Sequence, residues 1–293
     1  MHAAAAVPEV PAVPLNDGAT IPQLGLGVYK VPPEQAERVV ADALELGYRH
    51  VDTASLYGNE REVGRAIAAS GLPREAVFVT TKLWNSDQGY ERALRAAEAS
   101  LDALGLEAVD LYLIHWPAPA LGLAADSWRA LERLAAEGRA RSIGVSNFLP
   151  HHLEALLGGA SIVPAVNQIE VNPFLQQRDA ERADAAHGIV TAAWSPLARG
   201  RVLGEPTLER IAAAHAVAGH LVGGQAVDVS AVVIAWHLAR GRVVIPKTVS
   251  RQRMASNLAA CRLRLSAAEL AAIDALERGE RSGSDPDRVG LER

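Results

Sequence analysis

Cysteine is nearly absent from this 293-residue sequence, since Cys261 is the only one. A single thiol cannot form an internal disulfide and cannot build a zinc site from cysteines alone. Apolar runs stay well below the roughly 20 residues that a membrane-spanning helix needs. The first residues also lack the basic start and the long apolar core of a signal peptide. We therefore expect a cytoplasmic protein without a membrane partner.

The sequence also has no excess of positive charge. Its 29 Lys+Arg stand against 34 Asp+Glu, a formal net charge of −5, which offers no global electrostatic reason to bind nucleic acid. Lysine itself is scarce, because only Lys30, Lys82 and Lys247 are present and every other basic residue is arginine. A lysine retained in such a chain can mark a position that needs a compact, titratable ammonium group.

Several familiar binding and catalytic motifs are missing. Gly25-Leu26-Gly27 continues as Val-Tyr-Lys, so a Rossmann phosphate loop is not supported. There is no Walker loop and no Gly-x-Ser-x-Gly nucleophile elbow. His-x-His and His-Glu-x-x-His are absent as well, and the pair His151-His152 is interpreted as part of a helix surface. We therefore predict that the protein has no metal site.

Short apolar runs alternate with helical patterns along the whole chain. Eight β-then-α units in a row predict an α/β fold of the closed (β/α)8 TIM-barrel type, with an open doubly wound sheet as the alternative. We predict a flexible tail over residues 1–14 and a single barrel domain over residues 15–293. The predicted strands are Gln23–Val28, Tyr48–Asp52, Val77–Lys82, Val109–His115, Ser142–Ser146, Ala165–Ile169, Ile189–Trp194 and Val243–Lys247.

Three local patterns add detail to the barrel. The turn sequence Asn16-Asp17-Gly18 predicts an N-terminal β-hairpin that could plug the barrel bottom. The glycine-rich stretch Ala216–Asp228 predicts a break in the long helical pattern Leu208–Leu238. A capping box from Ser266 to Glu269 predicts an extra C-terminal helix. The short tail after Arg278 predicts an open substrate pocket.

Polar, ionisable or large aromatic residues stand at the C-terminal ends of all eight predicted strands. The active sites of TIM barrels lie at that end. The chain has only 5 Trp, 5 Tyr and 3 Phe, yet Tyr29, Trp84, Trp116 and Trp194 all fall there. This clustering predicts a binding site at the barrel mouth, with Tyr29, Trp84 and Trp116 as pocket walls.

Four of these strand-end residues form a chemically coherent set. Asp52 and Lys82 come from neighbouring predicted strands and could pair inside the mouth. An ammonium group beside Tyr57 would lower the pKa of the phenol from its usual value of about 10. His115 could donate a hydrogen bond to a carbonyl oxygen. A proton donor and an oxyanion pocket aimed at one oxygen suit the reduction of a carbonyl by a hydride donor.

The motifs around these residues closely resemble those of aldo-keto reductases, over about residues 15–288. The match is closest to the bacterial diketogluconate reductase branch, with Trp194 where much of the family has Tyr or Phe. The motifs are Asp52-Thr-Ala-x-x-Tyr57-Gly-Asn-Glu, Thr81-Lys82-Leu-Trp-Asn, Leu113-Ile-His115-Trp-Pro, Ile143-Gly-Val-Ser146-Asn147-Phe, Asn167-Gln168-Ile-Glu-Val-Asn-Pro, Trp194-Ser-Pro-Leu and Ile245-Pro-Lys247-Thr.

The resemblance implies a monomer that reduces a small aldehyde or ketone with NADPH. Tyr57 would be the general acid, supported by Asp52 and Lys82, and His115 would orient the carbonyl. The implied cofactor-binding residues are Ser146, Asn147 and Gln168 for the nicotinamide carboxamide, Trp194 for the ring, Lys247, Thr248 and Arg253 for the 2′-phosphate, Asn257 for the adenine, and Ser195 and Leu197 elsewhere along the cofactor. Ser250 stands where related bacterial enzymes have a basic residue, so the strictness of the NADPH preference stays open.

Two other classes of function remain open from the residues themselves. A Schiff-base aldolase would use Lys82 as a nucleophile within a barrel. A regulatory or structural barrel would bind the cofactor without catalysing a reaction. The aromatic walls suggest an apolar or aromatic carbonyl substrate, whereas the branch with the closest resemblance implies a sugar-derived ketone.

Overall fold

Eight parallel strands close into a barrel in this computed structural model, which describes residues 10–219, 221–222 and 225–291. The last barrel strand meets the first through backbone bonds, because the Gly25 N–H donates to the Val244 carbonyl at 3.0 Å and the Val244 N–H donates to the Gln23 carbonyl at 2.8 Å. The predicted TIM barrel is thereby confirmed, and the open doubly wound sheet is wrong.

The strands in chain order are β1 (Ala12–Pro14), β2 (Thr20–Pro22), β3 (Leu26–Gly27), β4 (His50–Asp52), β5 (Phe78–Leu83), β6 (Val109–Ile114), β7 (Ala140–Ser146), β8 (Val166–Glu170), β9 (Val190–Trp194), β10 (Leu221–Val222), β11 (Gln225–Ala226) and β12 (Val243–Ile245). The barrel consists of β3 to β9 followed by β12. Each of these strands starts at the same end of the barrel, so the residues that follow them meet at one mouth.

The helices surround the barrel with their apolar faces turned inward. The first of them begins at Pro33, which suits an N-terminal position, and is terminated by Gly47, which adopts the left-handed conformation with φ 111°. No helix in the described part of the chain is long and apolar enough to span a bilayer. The helices are α1 (Pro33–Leu46), α2 (Glu60–Ala69), α3 (Tyr90–Leu104), α4 (Ala124–Ala136), α5 (Pro150–Leu157), α6 (Arg178–Ala186), α7 (Pro206–Val217), α8 (Val229–Ala239), α9 (Arg251–Ala259) and α10 (Ala267–Asp274).

The predicted break in the long helical pattern is confirmed. The helix α7 ends at Val217, the short strands β10 and β11 pair antiparallel, and α8 begins at Val229. The Asp228 side chain caps α8 by accepting a hydrogen bond of 2.8 Å from the Ala231 N–H. The predicted C-terminal helix is present as α10, with the capping box formed by Ser266 and Glu269.

The N-terminal hairpin closes the barrel bottom. Strands β1 and β2 pair antiparallel, and the Asp17 carboxylate accepts a hydrogen bond of 3.0 Å from the Ala19 N–H within the turn. Leu15 and Ile21 pack inside the barrel in one apolar cluster with Phe78 and Val243, which begin their strands. The hairpin therefore fills the end of the barrel that lies opposite the mouth.

The hairpin begins within the predicted N-terminal tail. Residues Ala12–Pro14 belong to the hairpin, because they pair with β2, and the Pro11 carbonyl accepts a hydrogen bond of 2.7 Å from the Gln23 N–H. Residues 1–9 of that predicted tail lie outside the described residues.

The packing of the hairpin can be tested with a matched pair of isoleucines. Ile21 is 0% exposed inside the barrel, whereas Ile162 is 36% exposed on the surface. We expect Ile21→Ala to lower the free energy of unfolding in urea by about 2–4 kcal/mol, because it leaves a cavity. Ile162→Ala should change it by less than about 0.5 kcal/mol. Equal small losses would contradict a plugged barrel bottom.

Candidate active site

A buried ion pair lies at the ends of β4 and β5. Lys82 Nζ lies 2.6 Å from Asp52 Oδ1 and also donates a 2.8 Å hydrogen bond to the Thr53 carbonyl. Lys82 is 0% exposed, and its burial lowers the pKa of the ammonium while the Asp52 charge opposes that shift. A buried ammonium without a counterion is strongly destabilising, so the carboxylate is what allows this lysine to lie so deep.

The phenol of Tyr57 stands beside this ion pair. Lys82 Nζ lies 5.2 Å from the centre of the Tyr57 ring, and the ring centres of Tyr57 and His115 are 5.8 Å apart. Burial, and then the negative charge of Asp52, raise the pKa of the Tyr57 phenol well above its usual value. The prediction of a lowered pKa is therefore wrong, because burial, and then the Asp52 charge, outweigh the effect of the Lys82 ammonium. The phenol accordingly keeps its proton at neutral pH.

The imidazole of His115 completes the group. His115 follows β6 and is 7% exposed, with its ring packed edge-on against Trp84 at 5.2 Å between centres. Burial, and then the charge of Lys82, lower the pKa of His115 well below its usual value. The ring is therefore neutral at neutral pH and has one N–H to donate. The four predicted residues Asp52, Tyr57, Lys82 and His115 thus converge at the mouth.

A continuous chain of hydrogen bonds runs along one side of this group. Trp194 Nε1 donates to Asn147 Oδ1 at 2.8 Å, and Asn147 Nδ2 donates to Ser146 Oγ at 3.0 Å. Ser146 Oγ in turn donates to the Gln168 carbonyl at 2.8 Å. Gln168 Nε2 then donates to Asp52 Oδ2 at 2.7 Å, a contact that the sequence motifs do not indicate. The four side chains predicted to hold a nicotinamide are therefore linked to the ion pair.

The three aromatic residues predicted as pocket walls lie around Tyr57 and His115. The ring centres of Tyr29 and Tyr57 are 5.0 Å apart, and those of His115 and Trp116 are 6.5 Å apart. Trp84 is almost buried, while Tyr29 is 45% exposed and forms the outer edge. The walls are thus apolar near the reactive groups and open toward solvent at Tyr29.

A second group of predicted residues follows β12 and enters the first turns of α9. Thr248 Oγ1 accepts a 3.2 Å hydrogen bond from the Ser250 N–H, and Ser250 caps α9 by accepting from the Arg253 N–H. Among the described residues, neither Lys247 nor Arg253 forms an ion pair, although both are exposed. By contrast, Arg251 is paired with carboxylates of α1 at 2.8 and 2.9 Å. Two uncompensated cations thus stand at a helix N-terminus, which favours anions.

The remaining predicted positions flank these two groups. Asn257 is buried on the next turn of α9. Ser195 and Leu197 follow β9 and are partly exposed, and Ser195 adopts a left-handed backbone with φ 48°. They lie in the loop between Trp194 and the short helical turn Ala198–Gly200.

A C-terminal strap, residues Ser282–Leu291, runs along the mouth. At its start it is bound by Glu170 at the end of β8. Near its end its backbone accepts a 2.6 Å hydrogen bond from Asn85, which follows β5. Because β8 and β5 lie three strands apart around the barrel, the strap spans a large part of the rim. The prediction that the short tail leaves the pocket open is wrong on this side.

A cluster of two histidines and a carboxylate joins the strap to α5. His151, His152 and Asp287 bring three potential ligand atoms within 4.8 Å of one another. The Leu149 N–H donates to His152 Nδ1 at 3.2 Å, so the ring proton lies on Nε2, which faces Asp287 Oδ1 at 3.1 Å. A metal-bound histidine instead donates from its second nitrogen. The geometry therefore fits a polar contact between α5 and the strap rather than a metal site.

Sequence reasoning missed two supporting residues. Asn59 is fully buried, donates to the Val28 and Val31 carbonyls at 3.1 and 3.0 Å, and accepts from Thr53 Oγ1 at 2.8 Å. It thereby fixes the loops that carry Tyr29 and Tyr57. Glu170 holds the strap. Both stand inside the quoted motifs, but neither spacing nor residue type reveals what they bind.

The fold and the site together define a (β/α)8-barrel protein with a phenol, an imidazole and a buried Lys–Asp pair at its mouth. The model of the aldo/keto reductase family matches residues 22–278. The chain belongs to the aldo/keto reductase family, as the motifs predict.

Individual relatives cover nearly the whole chain. An aldo-keto reductase from Mycobacterium sp. (strain KMS) is 52% identical over 276 residues, which is 94% of this chain and 96% of that protein. The structure of an aldo/keto reductase from Brucella melitensis superposes with a TM-score of 0.87 at 45% identity, covering 93% of this chain and 100% of that one. A variant of Gox0644 crystallised with NADPH superposes with a TM-score of 0.89 at 42% identity, covering 96% and 99%.

The buried ion pair can be tested by a double-mutant cycle in urea unfolding. Asp52→Asn and Lys82→Met should each lower the free energy of unfolding by about 3–5 kcal/mol, because each leaves a buried group without its partner. The loss of unfolding free energy in the double variant should be smaller than the sum of the two single losses by at least about 2 kcal/mol.

The exposed pair Asp126 and Arg129, 2.7 Å apart, provides the control. Its cycle, with Asp126→Asn and Arg129→Met, should show a coupling below about 1 kcal/mol. Additive losses at Asp52 and Lys82 would mean that the two groups do not depend on each other.

Proposed function

We propose that this chain is an NADPH-dependent oxidoreductase that reduces aldehydes or ketones to alcohols. The observation that carries the proposal is the convergence of a protonated phenol, a neutral imidazole and a buried ion pair on one point of the barrel mouth. Membership of the aldo/keto reductase family and the NADPH complex of Gox0644 support it.

The hydrogen-bonded chain at the mouth suits a nicotinamide. Ser146, Asn147 and Gln168 offer the hydroxyl and amide groups that a carboxamide requires, and the Trp194 indole offers a flat face for stacking. They are ordered by bonds to one another, so little side-chain freedom is lost on binding. The bound dihydronicotinamide supplies the hydride for carbonyl reduction.

The residues at the start of α9 suit the phosphate of NADPH. Lys247 supplies a point charge, Thr248 a hydroxyl and Arg253 a planar fork, a donor set that recognises phosphate. In this proposal Asn257 contacts the adenine, and Ser195 and Leu197 line the path between the two ends of the cofactor. Ser250 adds a hydroxyl instead of a charge, so the preference for NADPH over NADH rests on Lys247 and Arg253.

Tyr57 is the proposed proton donor. Its phenol is protonated because burial raises its pKa, and an alkoxide formed on the substrate is a far stronger base than a phenolate. His115, kept neutral by burial, donates a hydrogen bond to the carbonyl oxygen and orients it toward Tyr57. After the proton has moved to the substrate oxygen, Lys82 provides the nearby positive charge that stabilises the phenolate, and Asp52 holds that ammonium group in place.

The walls of the pocket indicate the kind of substrate. Tyr29, Trp84 and Trp116 present ring faces and edges around the reactive groups, which suits a small carbonyl compound with an apolar or flat body. On the resemblance alone, we further propose that the enzyme acts as a monomer in the cytoplasm. Size-exclusion chromatography with light scattering measures the first of these properties.

The buried position of Lys82 argues against an aldolase. Its ammonium is 0% exposed and is bound to Asp52 and to the Thr53 carbonyl, so a substrate carbonyl has no access to Nζ. A Schiff-base mechanism requires that access. Borohydride added together with a carbonyl substrate should leave the mass of the protein unchanged, and a trapped adduct at Lys82 would favour the aldolase.

The proton donor is tested by Tyr57→Phe. Because the variant lacks only the hydroxyl group, we expect NADPH consumption with aldehydes to fall by at least about 1000-fold, in line with a general acid and the charge stabilisation around it. NADPH binding, measured by nucleotide fluorescence, should stay within about 3-fold, since one hydrogen bond at most is affected. Tyr90→Phe, on the outer helix α3, is the matched control. Turnover that survives in the Tyr57 variant would defeat the mechanism.

The phosphate contact is tested by comparing two arginines on α9. Arg253→Ala should raise the Kd for NADPH by about 10-fold and the Kd for NADH by less than about 2-fold, because only NADPH carries the 2′-phosphate that the charge-assisted bond recognises. Arg251→Ala, whose guanidinium is already paired with Asp42 and Glu45, should affect both cofactors equally. The same loss for both cofactors in the Arg253 variant would refute a phosphate contact.

A further inference from the structure

Glu170 is a buried carboxylate to which the proposed reaction assigns no role. It is 0% exposed at the end of β8 and accepts hydrogen bonds from the Ser282 N–H at 2.8 Å, the Gly283 N–H at 2.9 Å and the Ser282 hydroxyl. Backbone donors that converge on a buried carboxylate form strong, charge-assisted bonds. Glu170 therefore fixes the start of the strap to the barrel.

The segment that Glu170 holds lies directly against Trp194. A Cβ atom added to Gly283 would stand 2.3 Å from Trp194 Cη2 and 3.1 Å from Trp194 Cζ3. No Cβ atom fits there while the indole stays in place, so the strap backbone touches the benzene edge of the ring. Glu170 and Trp194 are also direct partners in the register between β8 and β9.

The opposite edge of the same indole is held as well. Trp194 Nε1 donates its 2.8 Å hydrogen bond to Asn147 Oδ1, and Asn147 is itself bound to Ser146 and to the His115 carbonyl. The ring is therefore confined between Asn147 on its pyrrole edge and Gly283 on its benzene edge. Rotation of the indole about its bond to the Trp194 Cβ atom would break one contact or the other.

We propose that Glu170 and Gly283 are positioning residues that hold the Trp194 indole in the orientation that stacks on the nicotinamide. The inference rests on the proposed NADPH-dependent function, and it adds a role for the C-terminal strap at the cofactor. A ring that is already oriented loses less freedom when the cofactor binds. The strap thereby contributes to cofactor affinity through the ring.

Gly283→Ala tests the contact with a single methyl group. Gly283 does not have a left-handed backbone, so alanine there changes the space and not the backbone strain. We expect the Kd for NADPH to rise by about 5- to 10-fold, in line with the loss of an oriented aromatic contact. Gly290→Ala is the matched control on the same strap, because a Cβ atom there meets nothing within 4 Å. It should leave Kd and turnover unchanged.

A variant with a smaller ring at position 194 tests whether Gly283→Ala changes the Kd for NADPH through the indole. Trp194→Phe removes the benzene edge that Gly283 touches. In that background, Gly283→Ala should change the Kd for NADPH by less than about 2-fold, because residues that act through one contact are not additive. An equal loss in both backgrounds would overturn the inference. Glu170→Gln weakens the hydrogen bonds that hold the strap. It should raise the Kd for NADPH when residue 194 is Trp and leave it unchanged in the Trp194→Phe variant.

A measurement without cofactor separates this inference from the proposed function. The indole N–H resonance of Trp194 can be identified by its loss in the Trp194→Phe spectrum. Gly283→Ala and Glu170→Gln should shift that resonance and speed its hydrogen exchange, whereas Gly290→Ala should not. If the wild-type chain neither binds nor consumes NADPH, the proposed function fails while the resonance still reports the positioning. An unchanged resonance in the first two variants would overturn the inference in every case.

Discussion

The contact between Lys82 and Asp52 is the interaction on which the mouth of the barrel depends. The two residues reach each other because β4 and β5 are neighbours in parallel register, with Asp52 opposite Thr80. Once paired, they place a positive charge under Tyr57 and beside His115, and Asp52 also anchors Gln168. One buried pair therefore orders the reactive groups and the amide chain that leads to Trp194.

Much of this arrangement follows from the sequence. The alternation of strands and helices predicts the barrel, the Asn-Asp-Gly turn predicts the hairpin, and the clustering of unusual residues at strand ends predicts the mouth. These features depend on local periodicity and turn chemistry, which are determined by residues close together in the sequence. The predicted first strand Gln23–Val28 is too long, since only Leu26–Gly27 form a regular strand there. Gln23, Leu24 and Gly25 join the barrel through contacts with Val244 of the final strand, more than 200 residues away along the chain.

The details that sequence reasoning missed depend on distant residues and on burial. Gln168 and Asp52 are separated by 116 positions, and Ser282 and Glu170 by 112, so no local pattern connects them. The pKa of Tyr57 depends on how much solvent the surrounding strands exclude, and burial outweighs the nearby ammonium. The cover that the strap provides is hidden from the sequence for the same reason, because a short tail can still extend across three strands of a rim when buried polar groups hold it.

The hairpin at the barrel bottom restricts the route by which ligands reach the site. Leu15 and Ile21 seal that end with apolar side chains, so a ligand of the site enters and leaves only at the mouth. Two molecules bound there together must share that opening.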